Sequence, residues 1–266
     1  MGEKSLLAES WPAPISPVVV GGLPVAPLTT RQWVELMLSD YKAVRSWGWT
    51  PRYHSAVNGN VLSVNARNAA FREALGEADA LAADGVPILF GARIFAGADI
   101  PDRAATTDLF DDLARAAEAE GLSMYFLGGT EEENCAAVSR VRRQYPGLRI
   151  AGRHDGYFGI EEEPKLIGEI TAARTDILWV GLGVPREDFF VVRNRARLHG
   201  VTWIKTCGGL FNFLSGSRSR APLWMRKSGL EWLYRLALEP RRLFRRYLFT
   251  NIHALWLMLK QSHRQP

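Results

Sequence analysis

The chain has 266 residues, 47% of them apolar and 23% charged, with a net charge of +5. That length supports one large core, or a core with an appendage, and the composition excludes a disordered or low-complexity chain. The two cysteines, Cys135 and Cys207, make no disulfide framework and no CxxC metal spacing, which fits a reducing compartment.

The first 28 residues are Pro-rich and predict irregular backbone, with one strand at Val18–Val20. They hold no apolar run of signal-peptide type, and Leu6 breaks the myristoylation pattern that Gly2 would begin. A helix is predicted over 30–46, with Thr30 as cap and Trp33, Leu36 and Met37 on one face. From about 53 to 216 short apolar runs alternate with helical patterns. Strands are predicted at Ser123–Leu127, Arg149–Gly152, Ile177–Val180 and Thr202–Lys205, and helices at about 131–145, 161–173 and 187–199. Strand, Gly loop and helix in repetition predict an α/β fold. The expected form is Rossmann-like, a mostly parallel sheet with helices on both faces.

After Gly216 the pattern becomes helical throughout. Arg218 to the end carries 11 Lys/Arg against Glu231 and Glu239, a net of +9, so the rest of the chain is about −4. A helix is predicted at Leu230–Leu238, broken by Pro240. Beyond it Leu243, Phe244, Tyr247, Leu248, Ile252, Leu255, Trp256 and Leu259 form an apolar stripe beside Arg241, Arg242, Arg245 and Arg246. No run is long and apolar enough to span a bilayer, so the stripe predicts a helix lying on a membrane surface or packed on the body. The domain reading is a catalytic α/β unit over 1–216 and a basic amphipathic helical appendage over 217–266.

Open α/β sheets bind ligands beyond the carboxyl ends of their strands. Three Gly loops stand there: Gly128-Gly129-Thr130, Gly181-Leu182-Gly183 and Cys207-Gly208-Gly209. Each is a tight turn or a phosphate cradle, and three together favour a nucleotide or diphosphate ligand. None completes GxGxxG or a Walker loop, which disfavours a dinucleotide oxidoreductase. Asp84 follows an apolar segment and precedes a helix, so it is a general base or an N-cap, the cap being commoner. Asn58 is a sugar or base ligand or a turn residue. Arg103 is a phosphate clamp, Asp108 a helix cap, and His154 an acid–base candidate or a structural loop residue. Glu187 and Asp188 open a helix, where acids are favoured by the dipole alone. No metal motif is visible, and no cofactor is expected.

In order, Asn58, ADALAADGVPILFGAR (78–93), DRAATTDLF (102–110), YFLGGT (125–130), YPGLRIAGRHDGYF (145–158), VGLGVPRED (180–188), CGGLFNFLSG (207–216) and RAPLWMRKSGLEWLYRLALEPRRLFRRY (220–247) resemble the WecG/TagA/CpsF family of bacterial glycosyltransferases. The resemblance covers about residues 50–250, and its last segment is the most distinctive. It implies an inverting transfer of a sugar from a UDP-sugar to a polyprenyl-diphosphate-linked sugar in cell-surface or exopolysaccharide synthesis. The enzyme would work on the inner face of the cytoplasmic membrane. Asp84 is then the base, while Asn58, Arg103 and Glu187 touch substrate. Arg220, Arg235, Arg241 and Arg242 are candidates to meet the lipid diphosphate. Gly128, Gly129, His154, Gly181, Gly183, Gly208 and Gly209 complete the expected binding set.

Three positions depart from the pattern: Ala56 replaces a Thr, Glu187 replaces a Gln, and Thr106 replaces a Gly. They put the donor sugar in play and make a hexose credible. The sequence leaves room for a homo-oligomer and points away from a nucleic-acid partner. A membrane-peripheral nucleic-acid-binding or adaptor protein would explain the basic tail but not the Gly loops; salt-dependent nucleic-acid binding without sugar-nucleotide binding would favour it.

Overall fold

The computed structural model describes residues 16–47 and 50–264; the side chains of 45–47, 227, 242, 243, 245–248 and 264 lie outside the described set. The chain opens with an antiparallel hairpin, β1 (Val18–Val20) and β2 (Leu23–Val25), so the Pro-rich start yields two strands where one is predicted. Helix α1 (Thr30–Trp47) follows. Its cap is Thr29: Gln32 N–H donates to Thr29 Oγ1 at 3.2 Å, and Thr29 N–H donates to Gln32 Oε1 at 2.9 Å. Thr30 instead donates its N–H and hydroxyl to Asp102. Trp33, Leu36 and Met37 are all buried, as their spacing predicts.

Strands β3 (Arg52–Val57), β4 (Ala80–Ala83), β5 (Ser123–Gly128), β6 (Arg149–His154), β7 (Ile177–Gly181) and β8 (Trp203–Thr206) make one sheet. Its order is β4-β3-β8-β7-β5-β6, and every pairing is parallel. The central strands β5, β7 and β8 are buried at every position, as the continuous apolar runs SMYFL and ILWV require; β6, on the edge, is only partly covered.

The crossovers are α2 (Gly59–Arg67), α3 (Ala69–Gly76), α4 (Val86–Phe95), α5 (Thr106–Glu120), α6 (Glu131–Gln144), α7 (Glu163–Ala172) and α8 (Arg186–Asn194), and α9 (Leu210–Ser215) follows the last strand, β8. One core joins α1, α5, α6 and α9 to a face of the sheet around Phe110, Phe126 and Trp179; a second, around Leu178, Val180 and Phe190, lies under α7 and α8. The helices therefore cover both faces.

Three further helices end the chain: α10 (Leu223–Lys227), α11 (Glu231–Leu238) and α12 (Pro240–Gln261), the last with proline in its first turn as predicted for that break. Helix α12 seats Ala254, Leu257 and Met258 in a third core with Val20, Leu62 and Ile88. Residues His263–Arg264 (β9) then pair with β1. Among the described side chains the predicted stripe is not the face that packs: Phe244, Ile252, Leu255, Trp256 and Leu259 are exposed. This helix is apolar on two faces, one spent on the body and one left open.

Candidate active site

All six parallel strands point their carboxyl ends the same way. Strand β3 leads outward to β4, whereas its neighbour β8 is reached from β7 on the other side, so the chain diverges between β3 and β8. A crevice is expected at such a switch point. A cleft of about 620 Å³ opens there, lined by the ends of β3, β4 and β8, the loop after β7, and the C-terminal helices.

Register places the key side chains together. Val57 pairs with Ala83, so the next residues, Asn58 and Asp84, stand side by side at the cleft, tied by Asp84 N–H donating to Val57 O at 2.8 Å. Asn58 is the N-cap of α2, its Oδ1 accepting from Val61 N–H at 3.1 Å, which leaves its NH₂ to face a ligand. Asp84 does not cap: Gly85 holds the N-cap position of α4, and no side chain bonds there. Among the described residues the Asp84 carboxylate accepts no hydrogen bond. Burial raises its pKa from the ordinary carboxylate range, opposed by the positive charges of Arg103, Lys205 and Arg235. A carboxylate spared from structural duty and tuned toward neutrality is suited to take a proton.

Arg103 lines the same cleft. Its Nη1 donates to Glu231 Oε2 at 2.9 Å, joining the body to α11, and its Nη2 lies 3.5 Å from Asp108. Asp108 is no cap. It gathers Arg220 at 2.8 Å and Arg226 at 3.4 Å as well, so one carboxylate holds an arginine of the body and two of the C-terminal part. Arg235 also lines the cleft, over the Phe213 ring at 5.4 Å.

Glu187 is buried at the start of α8, and one oxygen, Oε2, accepts the N–H groups of Gly183 and Gly208, each at 3.0 Å. It thereby staples the β7–α8 loop to the β8–α9 loop and occupies two of the amides that the Gly loops would offer to phosphate. Burial and the adjacent Asp188 push its pKa up to about 8. Asp188 is raised as well, chiefly by burial, although Tyr53 OH at 2.5 Å and Ser55 Oγ at 3.2 Å donate to it. Lys205, buried in β8, is pulled down by the same burial and sustained by Asp84, Glu187 and Asp188.

The structure thus brings together Asn58, Asp84, Arg103, Gly183, Glu187, Gly208, Gly209 and Arg235. It does not bring Gly128, Gly129, His154, Gly181, Arg220 or Arg241 to the cleft wall. Gly128 lies two strands away, at φ +136°, where a Cβ would strike the Gly181 carbonyl; it is there for strand packing. Gly129 O accepts from Gly156 N–H, and Thr130 closes a capping box with Glu133. Gly181 backs onto the Phe211 ring. His154 ends the edge strand β6, its Nδ1 at 2.9 Å from Asp155 O. Arg241 is exposed on α12, and the side chain of Arg242 lies outside the described residues.

Sequence reasoning misses Glu231, Trp232 and Asn251, whose only signal is a place in a distinctive tail. It also misses the Tyr53–Asp188–Lys205 cluster, for which a lysine inside the apolar strand TWIK is the clue. Two of the departures, Ala56 and Thr106, fall on the cleft wall beside Glu187.

Comparison with known proteins agrees with this arrangement. Residues 18–266 match the glycosyl transferase WecG/TagA/CpsF family. The chain is 31% identical over 176 residues to an N-acetylglucosaminyldiphosphoundecaprenol N-acetyl-beta-D-mannosaminyltransferase of Bacillus spizizenii (strain ATCC 23059 / NRRL B-14472 / W23), covering 66% of this chain and 67% of that one. It is 27% identical over 211 residues to the protein of the same name from Bacillus subtilis (strain 168), covering 79% of this chain and 80% of that one. With a family match running through the α/β body and the C-terminal helices alike, the chain belongs to the WecG/TagA/CpsF family and is a glycosyltransferase.

Proposed function

We propose that this enzyme transfers a sugar from a UDP-sugar to a polyprenyl-diphosphate-linked sugar, with inversion, at the inner face of the cytoplasmic membrane, in cell-surface or exopolysaccharide synthesis. The observation that carries the reading is Asp84: a carboxylate with no capping or pairing role, beside Asn58, Arg103 and Arg235 in one cleft. The names of the two relatives support the acceptor class, since both state a diphosphoundecaprenol-linked sugar.

Asp84 takes the proton from the acceptor hydroxyl as that oxygen bonds to the anomeric carbon. The bond from that carbon to the donor diphosphate breaks on the opposite side, and UDP departs with the electron pair. The developing negative charge needs a counter-charge. Because Glu187 holds the Gly183 and Gly208 amides, that role falls to Arg235, which makes no ion pair among the described residues, and to Arg103 once it shares or leaves Glu231. Arg220 and Arg226 stand behind Arg103 on Asp108, from which a diphosphate could recruit them. Ala56, Thr106 and Glu187 set the donor sugar.

Membrane contact belongs to the same reading. Among the described residues no helix is long and apolar enough to cross a bilayer. The basic C-terminal helices nevertheless expose Trp224, Phe249, Ile252 and Trp256, and each Lys/Arg near an anionic leaflet adds roughly 1 kcal/mol of attraction. The test is a turnover and thermal-shift screen of UDP-hexoses and UDP-N-acetylhexosamines with a short-chain polyprenyl-diphosphate-sugar acceptor. Turnover with one donor class is expected. Thermal stabilisation by no UDP-sugar, with no turnover, would overturn the proposal.

A further inference from the structure

Beside the reaction cleft runs a second hollow, an almost wholly apolar groove of about 400 Å³ between α4 and the C-terminal helices. Its inner wall is shared with the cleft: Val86, Pro87, Gly229, Trp232, Leu255 and Met258 line both. Its outer wall is Phe90, Ile94 and Phe95 of α4. Gly91 makes the floor: a Cβ there would press on Met258 Sδ, so the glycine leaves room for the Met258 side chain as it lies.

The side chains of this groove are left in water at a cost. Phe90 is 56% exposed, Ile94 67%, Leu255 54% and Trp232 43%, although each has a packed face nearby. The body behind them is well buried: Ile88, Ala92 and Met258 belong to the third core. The groove is therefore a built trough in a stable wall, and it leads from the polar, arginine-bearing cleft toward the face where α12 exposes Ile252, Trp256 and Leu259.

We propose that this groove binds the first isoprene units of the acceptor, guiding a single polyprenyl chain from the bilayer to the reaction cleft. The inference rests on the acceptor class given above. The occupant follows from the continuity of the two hollows: a ligand whose head is a diphosphate sugar and whose tail is hydrocarbon needs a polar site that passes directly into an apolar one. A sugar nucleotide has no group for the groove, and a peptide would leave backbone polar groups unpaired against these side chains.

The experiment uses the full chain and two polyprenyl diphosphates, of two and of five isoprene units, free of vesicles and below micelle-forming concentration. Binding is measured by calorimetry, and turnover with the matching diphosphate-sugar acceptors. The wild type is expected to favour the longer chain. Phe90→Gln/Ile94→Gln, both at exposed positions of the outer wall, is expected to weaken the longer ligand about tenfold, the scale of losing one or two half-buried apolar contacts, and the shorter one by less, so that the chain-length preference shrinks. A wild type indifferent to chain length, or a variant that keeps the preference, would overturn the groove assignment. So would a defect that appears only with vesicles, which would make this face a bilayer contact. If no acceptor turns over but the chain-length preference in binding is present and lost in the variant, the groove stands and the reaction proposal falls.

Discussion

Replacing Glu187 with Gln isolates one buried charge. The Glu187 pKa is pushed up to about 8 by burial and by Asp188, against 4.5 for a free glutamate. Between those values the folded protein holds a proton that the unfolded chain has released, so this residue makes stability fall as pH rises through the window. Each pH unit crossed inside that window costs about 1.4 kcal/mol, so the cost is small near pH 5 and grows toward pH 8. A glutamine needs no proton, and its single carbonyl oxygen can accept both amides as Oε2 does now. Glu187→Gln should therefore be nearly neutral at pH 5 and increasingly stabilising as pH rises toward 8, by on the order of 1 kcal/mol or more at pH 7, levelling off above pH 8. Asp188 and Lys205, which feel the Glu187 charge, shift in the variant as well, so the quantity compared is the sign and pH range of the difference between the two proteins. Urea denaturation at several pH values, read as a shift in midpoint at constant slope, measures it. A difference that does not change with pH, or a variant less stable at pH 7, would refute the assignment of a neutral Glu187.

Asp84→Asn should lower turnover by about 10²–10⁴ while UDP-sugar binding, followed by thermal shift, stays intact; near-wild-type turnover would remove Asp84 from its role. Asp108→Ala takes the carboxylate from Arg220 and Arg226 and leaves Arg103 with Glu231, and should cost about 1–3 kcal/mol, seen as a fall of several degrees in Tm. Gly128→Ala forces a Cβ onto the Gly181 carbonyl at a positive φ and should cost at least about 2 kcal/mol by chemical denaturation, without changing substrate affinity in the protein that remains folded. Membrane contact is best tested by substitution, since ending the chain near Ser215 would strip Ala254, Leu257 and Met258 from the third core. Phe249→Ser/Ile252→Ser/Trp256→Ser, all exposed, should reduce co-sedimentation with anionic liposomes several-fold at unchanged Tm; equal binding would sink the membrane reading.

The local sequence determined the parallel sheet, because unbroken apolar runs such as SMYFL and ILWV can be satisfied only by burial on both faces. It also marked Asn58, Asp84 and the Gly loops, since each follows directly on a strand end. It could not say which strand ends meet. That was decided by the order β4-β3-β8-β7-β5-β6, which sets Asn58 and Asp84 side by side and leaves Gly128 and His154 toward the far edge. Nor could it say which oxygen meets which amide. Cap and base look alike at Asp84 until the backbone gives the cap to Gly85, and nothing local to Glu187 shows that two loops converge on its carboxylate. The tail shows the same division. Its charge and stripe can be read along the chain, but a helix apolar on two faces can bury either one, and only its packing against α2 and α4 determined which face stayed open.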